Sequence, residues 1–176
     1  SELETFVAEH RVEAAVLGLE AKNKISKFIY GSHGVDIAGK IDAPVIIVPA
    51  SYKKHKLNNV VLAVDNNERL RKASLKQFES FLNASKTKVK LLHVRTEDEI
   101  FNPKIETLNI NKKETRIGVI PAKDIQEGIK KYSKKENVDL VGIISKKHSV
   151  FYNLFIESNT KKIAFAAKVP VMAIHE

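Results

Sequence analysis

The feature that most constrains this chain is an echo within it. From Val12 to Ala50 it reads VEAAVLGLEAKNKISKFIYGSHGVDIAGKIDAPVIIVPA, and Val138 to Glu176 follows the same pattern without a gap. Pro44 stands before VIIV and Pro170 before VMAI, an offset of 126 residues that also carries Val12 onto Val138, Ser32 onto Ser158 and Ala38 onto Ala164. The apolar runs coincide as well, with Val45 to Val48 falling on Val171 to Ile174. Each copy therefore predicts a buried strand, a long connection holding a helix, a proline and a second buried strand.

Between the copies lies a run of further strands and helices that starts near Leu57. Its counterpart for the first copy would need about 70 residues ahead of Ser1. The chain opens on Ser1 and its one Met is Met172, so the expectation is the C-terminal part of a longer two-repeat protein. Residues 1–50 are then the latter half of a first repeat, 51–56 (SYKKHK) a basic linker, and 57–176 a complete second repeat.

Composition removes several function classes. The absence of Cys excludes disulfides, thiol catalysis and cysteine-held zinc, and it fits a reducing compartment. No apolar run approaches the ~20 residues of a membrane span, and the expected location is the cytoplasm. The net charge of +9 raises the possibility of a polyanion-binding module. The lysines, however, are spread through Lys53 to Lys56, Lys86 to Lys90, Lys112-Lys113, Lys130 to Lys135 and Lys161-Lys162, mostly beside acids or on helix faces, and form no aromatic-interleaved basic stripe or known reader motif. They read as solvated helix faces, and nucleic-acid binding is not expected. The six His lack metal-ligand spacing, and there is no G-x-S-x-G elbow or paired-acid motif, so neither a metal site nor a catalyst is expected.

Along the chain, Ser1 to His10 reads as the tail of a helix, Ala14 to Gly18 as a strand, Val35 to Ile41 as a helix and Val45 to Val48 as a strand. The second repeat then gives strand one at Val60 to Asp65 and a helix over Glu68 to Asn83, with Leu70, Ala73, Leu75, Phe78 and Leu82 inward. Strand two follows at Lys88 to Val94. The polar stretch Arg95 to Thr115 reads as a long loop or a short helix, and Arg116 to Ile120 as strand three. Pro121 and Asp124 open a helix to about Glu136 with Ile125, Ile129 and Tyr132 inward. Leu140 to Ile144 and Val171 to Ile174 are strands four and five, with a helix over Thr160 to Ala167 between them. Short, wholly apolar strands alternating with helices predict an α/β fold. The expected architecture is a five-stranded parallel sheet of order 3-2-1-4-5 with helices on both faces, plus a partial second copy. The switch point lies between strands one and four, at the carboxyl edge.

Two loops follow strand four, one in each repeat. In the first, Gly18, Ala21, Gly31 and Ser32 form G-x-x-A-x9-G-S. Here the chain resembles the universal stress protein family, whose nucleotide-binding members carry G-x-x-G-x9-G-[ST] after strand four and an Asp at the end of strand one. VVLAVD, KLLHV, VDLVGII and KVPVMAIHE are similar to that family's strands one, two, four and five. The physical logic is that glycines let backbone amides approach phosphate and a Gly-Ser step adds a hydroxyl. By the resemblance, Asp65 is the adenosine-contacting Asp and Val94 the residue whose backbone meets the base. The second repeat has Ile144, Lys147 and Glu157 at the glycine positions and keeps only Ser158. A carboxylate at Glu157 would repel the phosphate the family holds there.

The resemblance thus implies a non-catalytic regulatory module of tandem-repeat type. ATP binding is lost in the second repeat, and ATP or AMP is held, if at all, by the full-length protein's first repeat. An ATP-hydrolysing enzyme on the same architecture, or a basic polyanion-binding module, is the alternative. Strand five is an apolar edge in each repeat, and by the resemblance Val45 to Val48 and Val171 to Ile174 are expected to pair antiparallel, within or between chains. A homodimer is expected because the incomplete first repeat leaves apolar faces uncovered.

Overall fold

The structure, a computed structural model, describes residues 2–10, 12–19, 43–54, 56–65, 70–82, 87–99, 106–145 and 168–175. Its elements are α1 (Glu2–Glu9), β1 (Ala15–Leu19), β2 (Val45–Pro49), β3 (Asn59–Ala63), α2 (Lys72–Phe81) and β4 (Lys88–Arg95), followed by β5 (Thr107–Ile110), β6 (Lys113–Pro121), α3 (Ile125–Lys135), β7 (Leu140–Ser145) and β8 (Val171–His175). The helices expected over Val35 to Ile41 and Thr160 to Ala167 lie outside the described residues.

The strands form one sheet of order β1-β2-β8-β7-β3-β4-β6-β5. Within it β6-β4-β3-β7-β8 run parallel in the expected 3-2-1-4-5 sequence. The sheet is nonetheless larger than a five-stranded sheet beside a separate partial copy, because β2 joins β8 antiparallel and carries β1 with it. Strand β3 shows why the centre of the sheet is legible from sequence. Val60, Leu62 and Val64 pack into the cluster around Phe78 of α2, while Val61 and Ala63 enter the cluster around Ile129 of α3. Every one of these β3-side residues is at most 1% exposed, as befits a strand covered on both faces.

The sequence echo is also a geometric one. In β1 and β2, Ala15 is opposite Val45 and Leu17 opposite Ile47; in β7 and β8, Val141 is opposite Val171 and Ile143 opposite Ala173. Each pair maps onto its counterpart at the same offset. The entry bonds map too: Ala15 N donates to Pro44 O at 2.8 Å and Val141 N to Pro170 O at 3.0 Å. Where β2 meets β8, Ile46 is opposite Met172, its own equivalent, with Val45 opposite Ala173 and Ile47 opposite Val171. A local twofold axis therefore passes between Ile46 and Met172, relating the two parallel strand pairs.

Two local expectations are corrected. In α2, Phe78 and Leu82 are buried but Ala73 faces solvent and Ser74 is buried in its place, so the inward stripe is one residue out of phase at its start. The region Arg95 to Thr115 ends in neither loop nor helix but in β5, antiparallel to β6 through a two-residue turn. Asn111 (φ 51°) and Lys112 (φ 62°) both occupy the left-handed region, the geometry that matches a hairpin to the twist of its strands. The turn is tied to α2 by Asn111 N donating to Glu79 Oε1 at 2.6 Å.

Within the 51–56 segment, Lys54 is docked to the sheet. Asp139, 3% exposed at the entry to β7, accepts from Lys54 Nζ at 2.5 Å and from the Asn58 and Asn59 amides at 2.9 Å each. Burial by itself would raise this carboxyl, but the Lys54, Asn59 and Asn58 hydrogen bonds and the Lys54 charge outweigh it and hold it below its ordinary value.

Candidate functional site

The switch point falls where the topology requires, between β3 and β7, which are adjacent while their neighbours diverge to opposite sides. Of the seven residues singled out from sequence, the structure describes three. Asp65 lies just past the end of β3 and is partly buried. Val94 sits near the end of β4, 4% exposed, opposite Ile120 of β6. Gly18 is on the far side of the sheet, in β1, so it shares no edge contact with the other two. Ala21, Gly31, Ser32 and Ser158, with Lys147 and Glu157, lie outside the described residues.

The placement of Val94 depends on a close approach. A Cβ on Gly128 of α3 would stand 2.4 Å from Val94 Cγ1, so α3 can reach β4 here because residue 128 has no side chain. The α3 start is also locally complete. The N-cap Asp124 accepts from Glu127 N at 2.8 Å, and Glu127 Oε2 accepts from the amide of Lys123, one residue before the cap, at 3.2 Å, so two carboxylates stand at the helix N-terminus. Hydrogen bonds from the Lys131 side chain and the Lys123 amide keep the Glu127 carboxyl below its ordinary range.

One residue at this edge was missed from sequence. His93, 4% exposed, points its Nδ1 at Val64 O (3.1 Å) and its Nε2 at Glu99 Oε1 (2.9 Å) and Oε2 (3.2 Å). The Thr96 amide also reaches Glu99 Oε2 at 3.4 Å. His93 thus ties the peptide preceding Asp65 to the turn that follows β4, so the segments at the ends of β3 and β4 are fixed to each other. The available signal was a His inside the apolar run KLLHV, since a polar ring buried in a strand requires partners.

Beside this tie, Arg95, Thr96, Glu99, Pro121, Ala122 and Lys123 line a cleft of about 490 Å³ at the ends of β4 and β6. Its floor is held by Ala122 N donating to Arg95 O at 3.0 Å. Larger clefts of about 850 and 650 Å³ lie away from this edge, at the start of β4 by the β5–β6 hairpin and between α2 and the start of β1. The edge carries the Asp65 carboxylate beside an imidazole whose two nitrogens are committed to Val64 O and Glu99, so His93 orders the edge. Among the described residues no group of three or more His, Asp or Glu is arranged to hold a metal ion, and no helix is long and apolar enough to cross a membrane.

No family model matches the sequence, and no curated protein does. Solved structures do match in fold. A universal stress protein from Archaeoglobus fulgidus DSM 4304 superposes with a TM-score of 0.66 at 14% identity over 99% of this chain and 64% of its own. A functionally unknown protein from Pseudomonas aeruginosa PAO1 gives 0.60 at 11% identity, covering 98% of this chain and 67% of its own. The chain therefore has a universal stress protein-like α/β fold, and it spans less than two thirds of the length of the first of these neighbours.

Proposed function

We propose that this chain is a non-catalytic regulatory module of the universal stress protein type, acting in the cytoplasm in the stress response. In this reading residues 1–50 are the second half of one nucleotide-cradle unit and residues 57–176 a complete second unit that no longer holds ATP. Support for the two-unit organisation comes from the strand pairs β1–β2 and β7–β8, which share one register at one offset.

The loss of nucleotide binding rests chiefly on one observation. Asp65 and Val94 supply the base side of the edge, while the glycines that would admit the phosphates are replaced by Ile144, Lys147 and Glu157. Removing backbone access and adding a carboxylate both oppose a triphosphate. Titrating ATP into the chain by calorimetry is expected to give no saturable heat; stoichiometric binding at low micromolar concentration would overturn this reading. The nucleotide, if the whole protein uses one, belongs to the first unit with Gly18, Ala21, Gly31 and Ser32, and the chain itself associates as a homodimer.

A further inference from the structure

Strands β4 and β6 are neighbours that part at one end. Their parallel pairing begins at Leu91 opposite Ile117, although β4 is already paired with β3 from Lys88 and β6 with β5 from Lys113. The sheet is therefore forked at its amino edge, and the cleft of about 850 Å³ lies in the fork. With β3 beyond β4 and β5 beyond β6, the fork is interior to the sheet and not one of its outer edges.

The backbone of the fork has directions set by the outer ladders. Lys88 N donates to Asn58 O at 2.7 Å, so the groups of Lys88 and Lys90 face β3 and those of Val89 face β6. Ile117 N donates to Glu106 O at 2.9 Å, so the groups of Glu114 and Arg116 face β4. Val89 and Glu114 thus turn amide and carbonyl, and Arg116 its amide, into a gap that the β4–β6 ladder does not close.

The side chains are sorted by face. Val89 and Ile110 pack with the cluster around Phe78, whereas Leu92 and Ile120 pack with the cluster around Ile129. Strand alternation then places Lys88, Lys90 and Arg116 on the α3 side, all of them exposed. Lys113 adds a fourth cation to the cleft, and its two carboxylates are already engaged, Glu79 by Asn111 N and Glu114 by Thr107 Oγ1. Lys90 is paired with Glu136, while Lys88, Lys113 and Arg116 have no ion-pair partner among the described residues.

We infer that the fork receives an extended acidic segment of a partner protein, laid as a short strand between the amino ends of β4 and β6. A peptide backbone carries both the donors and the acceptors that Val89, Glu114 and Arg116 call for, whereas a bare anion would leave the carbonyls unmet. Alternating acidic and apolar residues suit the two faces, acids toward Lys88, Lys90 and Arg116 and apolar side chains toward Val89 and Ile110. The fork is at the edge opposite Asp65 and Val94, so the inference goes beyond the reading above and its test is separate from ATP binding.

The test is fluorescence anisotropy on the whole chain with a fluorescein-labelled peptide of about six residues alternating Glu and Val. Saturable binding that weakens with added salt is expected. Lys88→Glu together with Arg116→Glu, at exposed positions, should keep the melting of the parent and weaken binding by about tenfold or more. Backbone pairing has its own readout in the unsubstituted chain. The Val89 and Arg116 amides should gain protection from hydrogen exchange in the complex, and the same peptide N-methylated at its central amides should not bind. Absence of saturable binding, unchanged affinity in the double variant, or no protection at those amides would each overturn the proposal. So would equal binding of the N-methylated peptide, which would mark the fork as a charged surface open to any polyanion.

Discussion

The strand pairs β1–β2 and β7–β8 share register, entry hydrogen bond and proline, yet they are covered differently. Position 16 in the first pair corresponds to position 142 in the second. Gly142 leaves room for Phe78 of α2, whose Cε2 would lie 2.5 Å from a Cβ there. Val16 instead stands 63% exposed. Backbone pairing is therefore set by the strands and their proline entry, whereas the identity of the side chain at the equivalent position is set by the helix that crosses it. One backbone pattern thus supports a packed interior in one place and an exposed side chain in the other.

The largest test strips β7 of the cover β1 lacks. Phe78→Ala is expected to lower stability by about 3–5 kcal/mol, read from urea unfolding, because Phe78 is fully buried. Placing the first pair's residue in the second is next: Gly142→Val should cost about 1–3 kcal/mol or more through overpacking against Phe78 and Leu62. If it is neutral, the contrast between the pairs is not one of helix cover. Asp139→Ala removes the tie from Lys54 to β7 and leaves the Asn58 and Asn59 amides without their acceptor, at about 1–3 kcal/mol. Here the sign of the pH effect follows from a depressed folded value. The stabilisation is complete above the ordinary value of 3.8 and is lost as pH falls below it through the lower folded value, so the parent should show an acid-side loss that the variant lacks. The smallest effect belongs to the reciprocal exchange, Val16→Gly, which should cost no more than about 0.5–1 kcal/mol of chain stability, the entropic cost of a strand glycine.

Much of this fold was legible because its centre is redundant. VVLAVD, VDLVGII and PVMAI are apolar on both faces, and a run of that kind has few places to go except the middle of a parallel sheet. The hairpin was not legible, because β5 (TLNI) is short and half polar and its turn is Asn-Lys rather than Asn-Gly, so the usual cue for two left-handed residues is missing. The candidate site was read unevenly. Asp65 and Val94 do reach the same carboxyl edge, but His93 and Glu99, which fix that edge, are joined only by folding. Gly128 and Asp139 likewise declare their roles through partners far away in sequence.

The join between β2 and β8 has a bearing on how the polypeptide assembles. Strand β8 follows every other strand in the chain, and it lies between β2 and β7, so the two halves of the sheet share no ladder until it arrives. During vectorial synthesis β2 lacks its antiparallel neighbour β8 until the strands described between them have been made. The closing step then brings together Ile46 and Met172 across a long loop, a contact whose entropic cost slows it relative to local pairing.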